Sequence, residues 1–293
     1  MSLQDGTGLS ERVKTIVRMA LEEDLADRGD ITSIATVAED RMTTAQILAR
    51  EACTVCGLPL VKEVFRQVDE RIVLEELIKD GKEAETGEVI ARISGPARAI
   101  LTAERTALNF MQRMTGVATQ TRRFTALVKP YGTMILDTRK TTPAMRELEK
   151  YAVACGGGSN HRMGLYDRVM IKDNHRALWA EQRRGDLGAA VEHARSLYPD
   201  VMIELEVESV EELKQALPMK PEWVLLDNMT PEMMKQCVEL CRGISRTEAS
   251  GGITLDNVVA AAAAGVDAIS LGCLTHSVRS IDLSLEIESD SVT

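Results

Sequence analysis

From about residue 133 to residue 272 the chain repeats one unit, a short apolar strand, a polar loop and a helix, and no other feature limits its fold as tightly. Strands are expected at Thr133–Leu136, Arg168–Ile171, Met202–Leu205, Trp223–Leu226, Arg246–Ala249 and Ala268–Leu271. Their starts fall roughly 20 to 35 residues apart, the length of a βα crossover between parallel neighbours. Six or seven such units predict a β/α barrel, complete or shortened. A doubly wound sheet shares the repeat and differs only in strand order, which the sequence does not carry.

The first third follows other rules. An amphipathic helix over Ser10–Leu25 places Val13, Ile16, Val17, Ala20 and Leu21 on one face, and strands near Ala45–Arg50, Ile72–Leu74 and Val89–Ile93 enclose a helix at Leu58–Val68. This reads as an α+β domain with an antiparallel sheet over residues 1–115, then the barrel over 116–274, with a tail at 275–293 that packs back onto the first domain. Thr115-Gly116 is expected to divide the segment from Ala97 to Val128 into two helices.

Composition excludes several functions. With 44% hydrophobic and 3% aromatic residues, the core has to be aliphatic. A formal charge of -10, with no basic run, argues against a nucleic-acid partner. The longest apolar stretch, Val258 to Ala264, falls far short of the roughly 18 residues of a membrane span. The opening residues show neither a basic start nor an apolar segment, so a cytoplasmic protein is expected, with its six cysteines as reduced thiols.

In β/α barrels the chemistry lies just beyond the C-terminal ends of the strands. Here those positions hold Asp137-Thr138-Arg139-Lys140, Lys172-Asp173-Asn174-His175, Glu206, Asp227-Asn228, Ser250-Gly251-Gly252 and Gly272 after Ser270-Leu271. Any one of them suits a solvated loop or a helix cap, but six converging strand ends do not. Alternation puts Glu204 and Glu206 on one side of their strand, facing the barrel interior or its rim. The glycine turns after the last two strands suit a phosphate, since backbone without a side chain approaches a ligand closely. Arg139, Lys140, His161, Arg162 and Lys172 concentrate positive charge in an otherwise acidic chain, which calls for an anionic ligand.

Other residues weigh less. Cys53 and Cys56 could pair with Cys237 and Cys241 around zinc, although the second pair has plain helical spacing and buried thiols are common. Lys172 at a strand end also suits a Schiff-base aldolase, which has no use for several arginines.

Together these residues make a pattern that resembles the quinolinate phosphoribosyltransferases. The carriers are Gly29-Asp30-Ile31-Thr32, Ala103-Glu104-Arg105-Thr106-Ala107-Leu108-Asn109, Asp137-Thr138-Arg139-Lys140-Thr141-Thr142-Pro143, Gly156-Gly157-Gly158 with Asn160-His161-Arg162, Ile171-Lys172-Asp173-Asn174-His175, Leu226-Asp227-Asn228 and Ser250-Gly251-Gly252. Ala144 stands where the family often has glycine, and Ala26 and Arg28 alter an early glycine-rich turn.

The resemblance implies an N-terminal α/β sandwich and an incomplete seven-stranded barrel. The implied reaction joins quinolinate and phosphoribosyl pyrophosphate to give nicotinate mononucleotide, pyrophosphate and carbon dioxide, with Mg2+. Arg105, donated across a homodimer, together with Thr138, Arg139, Lys140, His161, Arg162 and Lys172, would surround quinolinate and the phosphates. Glu206 and Asp227 would hold the ribose hydroxyls and Mg2+, with Ser250, Gly251, Gly252, Ser270, Leu271 and Gly272 around the 5′-phosphate. Lys140, Lys172, Glu206 and Asp227 are the expected catalytic residues, and a hexamer is left open beside the dimer.

Overall fold

Ser10 caps helix α1 (Glu11–Leu25) by accepting the Val13 N–H, and the helix buries Val13, Val17 and Leu21 as its periodicity requires. This computed structural model describes residues 4–5, 8–181 and 187–288. In chain order there follow α2 (Ile31–Thr36), β1 (Met42–Ala49), α3 (Leu58–Val68), β2 (Val73–Glu76), β3 (Val89–Pro96) and α4 (Ala97–Val128). Next come β4 (Met134–Leu136), α5 (Arg146–Cys155), β5 (Val169–Ile171), α6 (Asp173–Glu181), α7 (Leu187–Leu197), β6 (Ile203–Val207) and α8 (Val210–Ala216). The last are β7 (Trp223–Asp227), α9 (Pro231–Cys241), β8 (Arg246–Ser250), α10 (Val258–Ala263), β9 (Ala268–Ser270) and β10 (Leu283–Ile287).

Two compact units result. The first comprises Met1–Arg122, Thr141–Gly157 and Leu274–Thr293, and the second Arg123–Lys140 and Gly158–Cys273. Residues 141–157, expected within the barrel, cluster with the first unit, where the Tyr151 hydroxyl donates to Asp80 at 2.7 Å and Glu149 accepts from Arg113 at 2.8 Å. The antiparallel sheet of the first unit has the order β10-β1-β3-β2, so the returning tail covers the edge of β1.

Gly116 does not break a helix. α4 runs unbroken for 32 residues, and the glycine serves close packing instead: a Cβ there would lie 2.3 Å from the Arg279 carbonyl oxygen. Glycine costs helix stability, but here it admits a neighbouring backbone.

The second unit holds one parallel sheet in the order β4-β9-β8-β7-β6-β5. All six expected strands are present within a residue or two. Beyond the free side of β4, Leu136 makes one further parallel bridge, to Ser159, so the seventh strand of the implied barrel is reduced to that contact. β6 and β7 are buried along nearly their whole length, as expected of parallel strands covered on both faces. At the base of the interior, Trp223 lies between the guanidinium groups of Arg168 and Arg246, 5.6 and 5.5 Å from its ring centre.

Candidate active site

Parallel register sets the layers above Trp223. Glu206 pairs with Leu225 and Leu225 with Glu248, while Asp227 pairs with Ser250 one step nearer the mouth. Because alternate residues share a face, Met170 and Lys172, Glu204 and Glu206, Leu225 and Asp227, Glu248 and Ser250, and Ser270 all belong to the interior. All of them but Glu204 line a cavity of about 450 Å3, together with Thr138, Arg139, Lys140, His161, Arg162 and Asp173.

Asp137, fully buried at the end of β4, builds one wall. One carboxylate oxygen accepts the His161 backbone N–H at 2.9 Å, and the other accepts Asn160 Nδ2 at 2.6 Å. Ser159 N–H to Ile135 O, at 2.8 Å, completes the attachment. The glycine-rich segment before it is thereby fixed along β4, which delivers His161 and Arg162 to the cavity. Arg162 is braced from below by a hydrogen bond to the Arg168 carbonyl, at 3.0 Å. Burial and the like charge of Arg139 both lower the Arg162 pKa, so two guanidinium groups converge where an anion would relieve them.

His161 and two carboxylates make the floor. Nε2 stands 3.0 Å from Glu204 and 3.4 Å from Glu248, and Arg168 adds a bond to Glu204 at 3.1 Å. Burial disfavours charge on the ring, whereas hydrogen bonds to Glu204 and Glu248 favour it and raise its pKa to about 9. The Arg162 N–H pointing at Nδ1 from 2.7 Å opposes the second proton that a charged ring needs. Burial pushes Glu248 up, as does the neighbouring Glu204 carboxylate. Glu204 itself is held down by His161 and Arg168 despite its burial. His161, Glu204 and Glu248 have the composition of a metal site, but the Arg168 guanidinium already supplies the positive charge there.

Glu206 is buried and ion-paired with Lys172, while Asp227 is half-exposed and accepts a bond from Asn228 at 2.7 Å. A Schiff-base aldolase has no use for Arg139 and Arg162, which line the same cavity. Lys140 is held at its backbone by the Thr138 hydroxyl, at 3.0 Å.

Ten expected site residues thus line one cavity: Thr138, Arg139, Lys140, His161, Arg162, Lys172, Glu206, Asp227, Ser250 and Ser270. Arg105 does not; it is exposed on α4 in the first unit. Gly251, Gly252, Leu271 and Gly272 do not line it either. Leu271 is buried and its N–H bonds the Leu136 carbonyl, which makes it packing. Gly251 has φ +90°, and a Cβ would lie 2.1 Å from Asn228 Oδ1, so it shapes the turn beside Asp227. Glu248 lies inside β8 rather than just past a strand end, and its spacing of two from Ser250 is the sequence signal that marks it. Among the described residues, Cys53, Cys56, Cys237 and Cys241 do not gather into one group of metal-ligating atoms.

Comparison with known proteins agrees with this geometry. Residues 30–115 match the family model for the quinolinate phosphoribosyl transferase N-terminal domain, and residues 117–286 the model for its C-terminal domain. The nicotinate-nucleotide pyrophosphorylase (carboxylating) of Arabidopsis thaliana is 39% identical, over 95% of this chain and 83% of its own. The solved nicotinate-nucleotide pyrophosphorylase of Francisella tularensis superposes with TM-score 0.89 at 41% identity, covering 95% of this chain and 96% of that one. That of Ehrlichia chaffeensis gives TM-score 0.86 at 36% identity, covering 94% and 98%. A cavity lined by Arg139, Lys140, Arg162 and Lys172 together with Glu206 and Asp227, on a fold shared over nearly its whole length, places this chain in the quinolinate phosphoribosyl transferase family.

Proposed function

We propose that the chain transfers phosphoribosyl from phosphoribosyl pyrophosphate to quinolinate with loss of carbon dioxide, giving nicotinate mononucleotide and pyrophosphate for NAD synthesis. The observation that carries this is a single cavity that brings Arg139, Lys140, Arg162 and Lys172 together with Glu206 and Asp227. Arg139 and Arg162 offer planar forks to the two carboxylates of the pyridine, and the lysines neutralise phosphate as point charges. As pyrophosphate leaves, positive charge develops on the ribose carbon, and the Glu206 and Asp227 carboxylates stabilise it. Attaching the ribose first makes the pyridine nitrogen cationic, an electron sink for the decarboxylation that follows. Ser250 and Ser270 stand at the strand ends suited to the 5′-phosphate.

Glu206 and Asp227 end neighbouring strands and supply hard oxygen donors, a set that fits Mg2+ shared with water and substrate phosphates better than a closed protein cage. Mg2+ held there would neutralise the pyrophosphate leaving group. In our reading Arg105 completes a partner's cavity in a homodimer, which its exposure on α4 supports.

The test follows carbon dioxide release from carboxyl-labelled quinolinate together with mononucleotide formation. Release that needs both substrates and Mg2+, matched by mononucleotide, is expected; binding of quinolinate without turnover would reject the reading, and free nicotinate appearing before mononucleotide would reject the order of steps. Mixing Arg105→Ala protomers with Lys172→Ala protomers should restore part of the activity lost in each, and no restoration would reject the shared site.

A further inference from the structure

Two of the first unit's three thiols, none of them used by this reaction, lie close together. Cys56 precedes α3 and Cys155 closes α5. Cys56 is buried, Cys155 partly exposed, and neither is in a disulfide. Their sulfurs and a carboxylate oxygen of Asp80 all lie within 4.8 Å of one another.

Two thiols and a carboxylate also have the composition of a zinc site. Asp80, however, is already committed. Its Oδ2 accepts the Gly57 N–H at 2.9 Å and the Tyr151 hydroxyl at 2.7 Å, and its Oδ1 accepts the Leu58 N–H at 3.2 Å. Turning it to a metal would uncap α3, which leaves the two sulfurs with each other.

We propose that Cys56 and Cys155 are a peroxide-reactive dithiol, in which Cys155 is attacked first and Cys56 resolves it into an intramolecular disulfide. The Cys155 thiolate displaces hydroxide from hydrogen peroxide and becomes a sulfenic acid, a two-electron oxidation of that sulfur. The Cys56 sulfur then attacks it, an S–S bond forms, and water leaves with the Cys56 proton. A thiol reductant reverses the bond by exchange.

Cys155 is suited to the first step. It is the less buried of the two, and the neighbouring Cys56 thiol lowers its pKa against the opposing effects of burial and Asp80. Elsewhere burial pushes Cys53 and Cys237 up to about 11 and Cys241 to about 12, so those thiols stay protonated and inert. The disulfide would tie the turn before α3 to the end of α5.

The experiment treats the full-length protein with hydrogen peroxide at neutral pH, counts thiols, and maps peptides without reduction. Two of the six thiols should disappear, with a single cross-linked peptide joining Cys56 and Cys155, restored by dithiothreitol. Cys56→Ser should leave a sulfenic acid on Cys155 that a cyclic 1,3-dione traps, and Cys155→Ser should abolish thiol loss. Peroxide consumption spread over other cysteines, or sulfinic acid on Cys155 beside an unreacted Cys56, would overturn the proposal. The wild-type peptide map decides it even where a variant folds poorly. Tight stoichiometric binding of Zn2+ that is lost in both serine variants would overturn it in favour of a metal site.

Discussion

At the scale of single residues, the cavity works by charge that is already in place before a ligand arrives. Arg162 is fixed by Asp137 through the segment that precedes it and by the Arg168 carbonyl, so its guanidinium meets an anion with little left to order. Arg162→Ala should lower kcat/KM for quinolinate roughly 10- to 100-fold, the worth of one charge-assisted hydrogen bond of about 1.5–3 kcal/mol. Steady-state kinetics with quinolinate varied checks this. Glu204 carries a pH signature. Its pKa is held below the ordinary 4.5 by His161 and Arg168 against the penalty of burial. Its contribution to stability is therefore complete above that value and is lost as pH falls through the lower, native pKa. The thermal midpoint of Glu204→Gln should be lower than wild type at neutral pH, and the gap should narrow on acidification. Ala144 is strained in a different way, with φ +65° in the left-handed region. Ala144→Gly should raise stability by about 1 kcal/mol, the cost of holding a Cβ in the left-handed region. Thermal or denaturant unfolding measures it.

At the scale of elements, local sequence told the direction of the chain better than what it packs against. The six parallel strands were legible because each is a short apolar run ended by polar residues, and the helices at α1 and α3 because their apolar spacing is regular. Gly116 was misread for a physical reason. A glycine inside a helical pattern has two meanings, a break or a close approach, and only the Arg279 carbonyl across from it tells them apart. Gly116→Ala, which in an exposed helix adds about 1 kcal/mol, should here lower the unfolding temperature. The site shows the same division. Residues just past the strands were found from sequence, whereas Glu248 lies within β8, and its neighbours come from the register with β7. Leu271 and Gly272 are past a strand and yet do not line the cavity, since position along the chain does not say which way a loop turns.

At the scale of the whole molecule, the units do not follow the order of synthesis. Residues 141–157 and the tail both belong with the first hundred or so residues. β10 pairs with β1 from Leu283–Ala49 to Ile287–Ala45, and Arg50 and Glu286 make an ion pair beside it. Ending the chain at Asp282 should lower the unfolding temperature and promote self-association, because β1 would then present an open edge. Scattering during a temperature ramp, compared with the full chain, would show it, and an unchanged ramp would mean that β1 needs no cover. The same pairing has a meaning during synthesis. Ala49 waits for a partner 234 positions later. At the usual translation speeds that delay is roughly 10–50 seconds, so a nascent chain has to be shielded, by the ribosome or a chaperone, through most of the time it takes to make it.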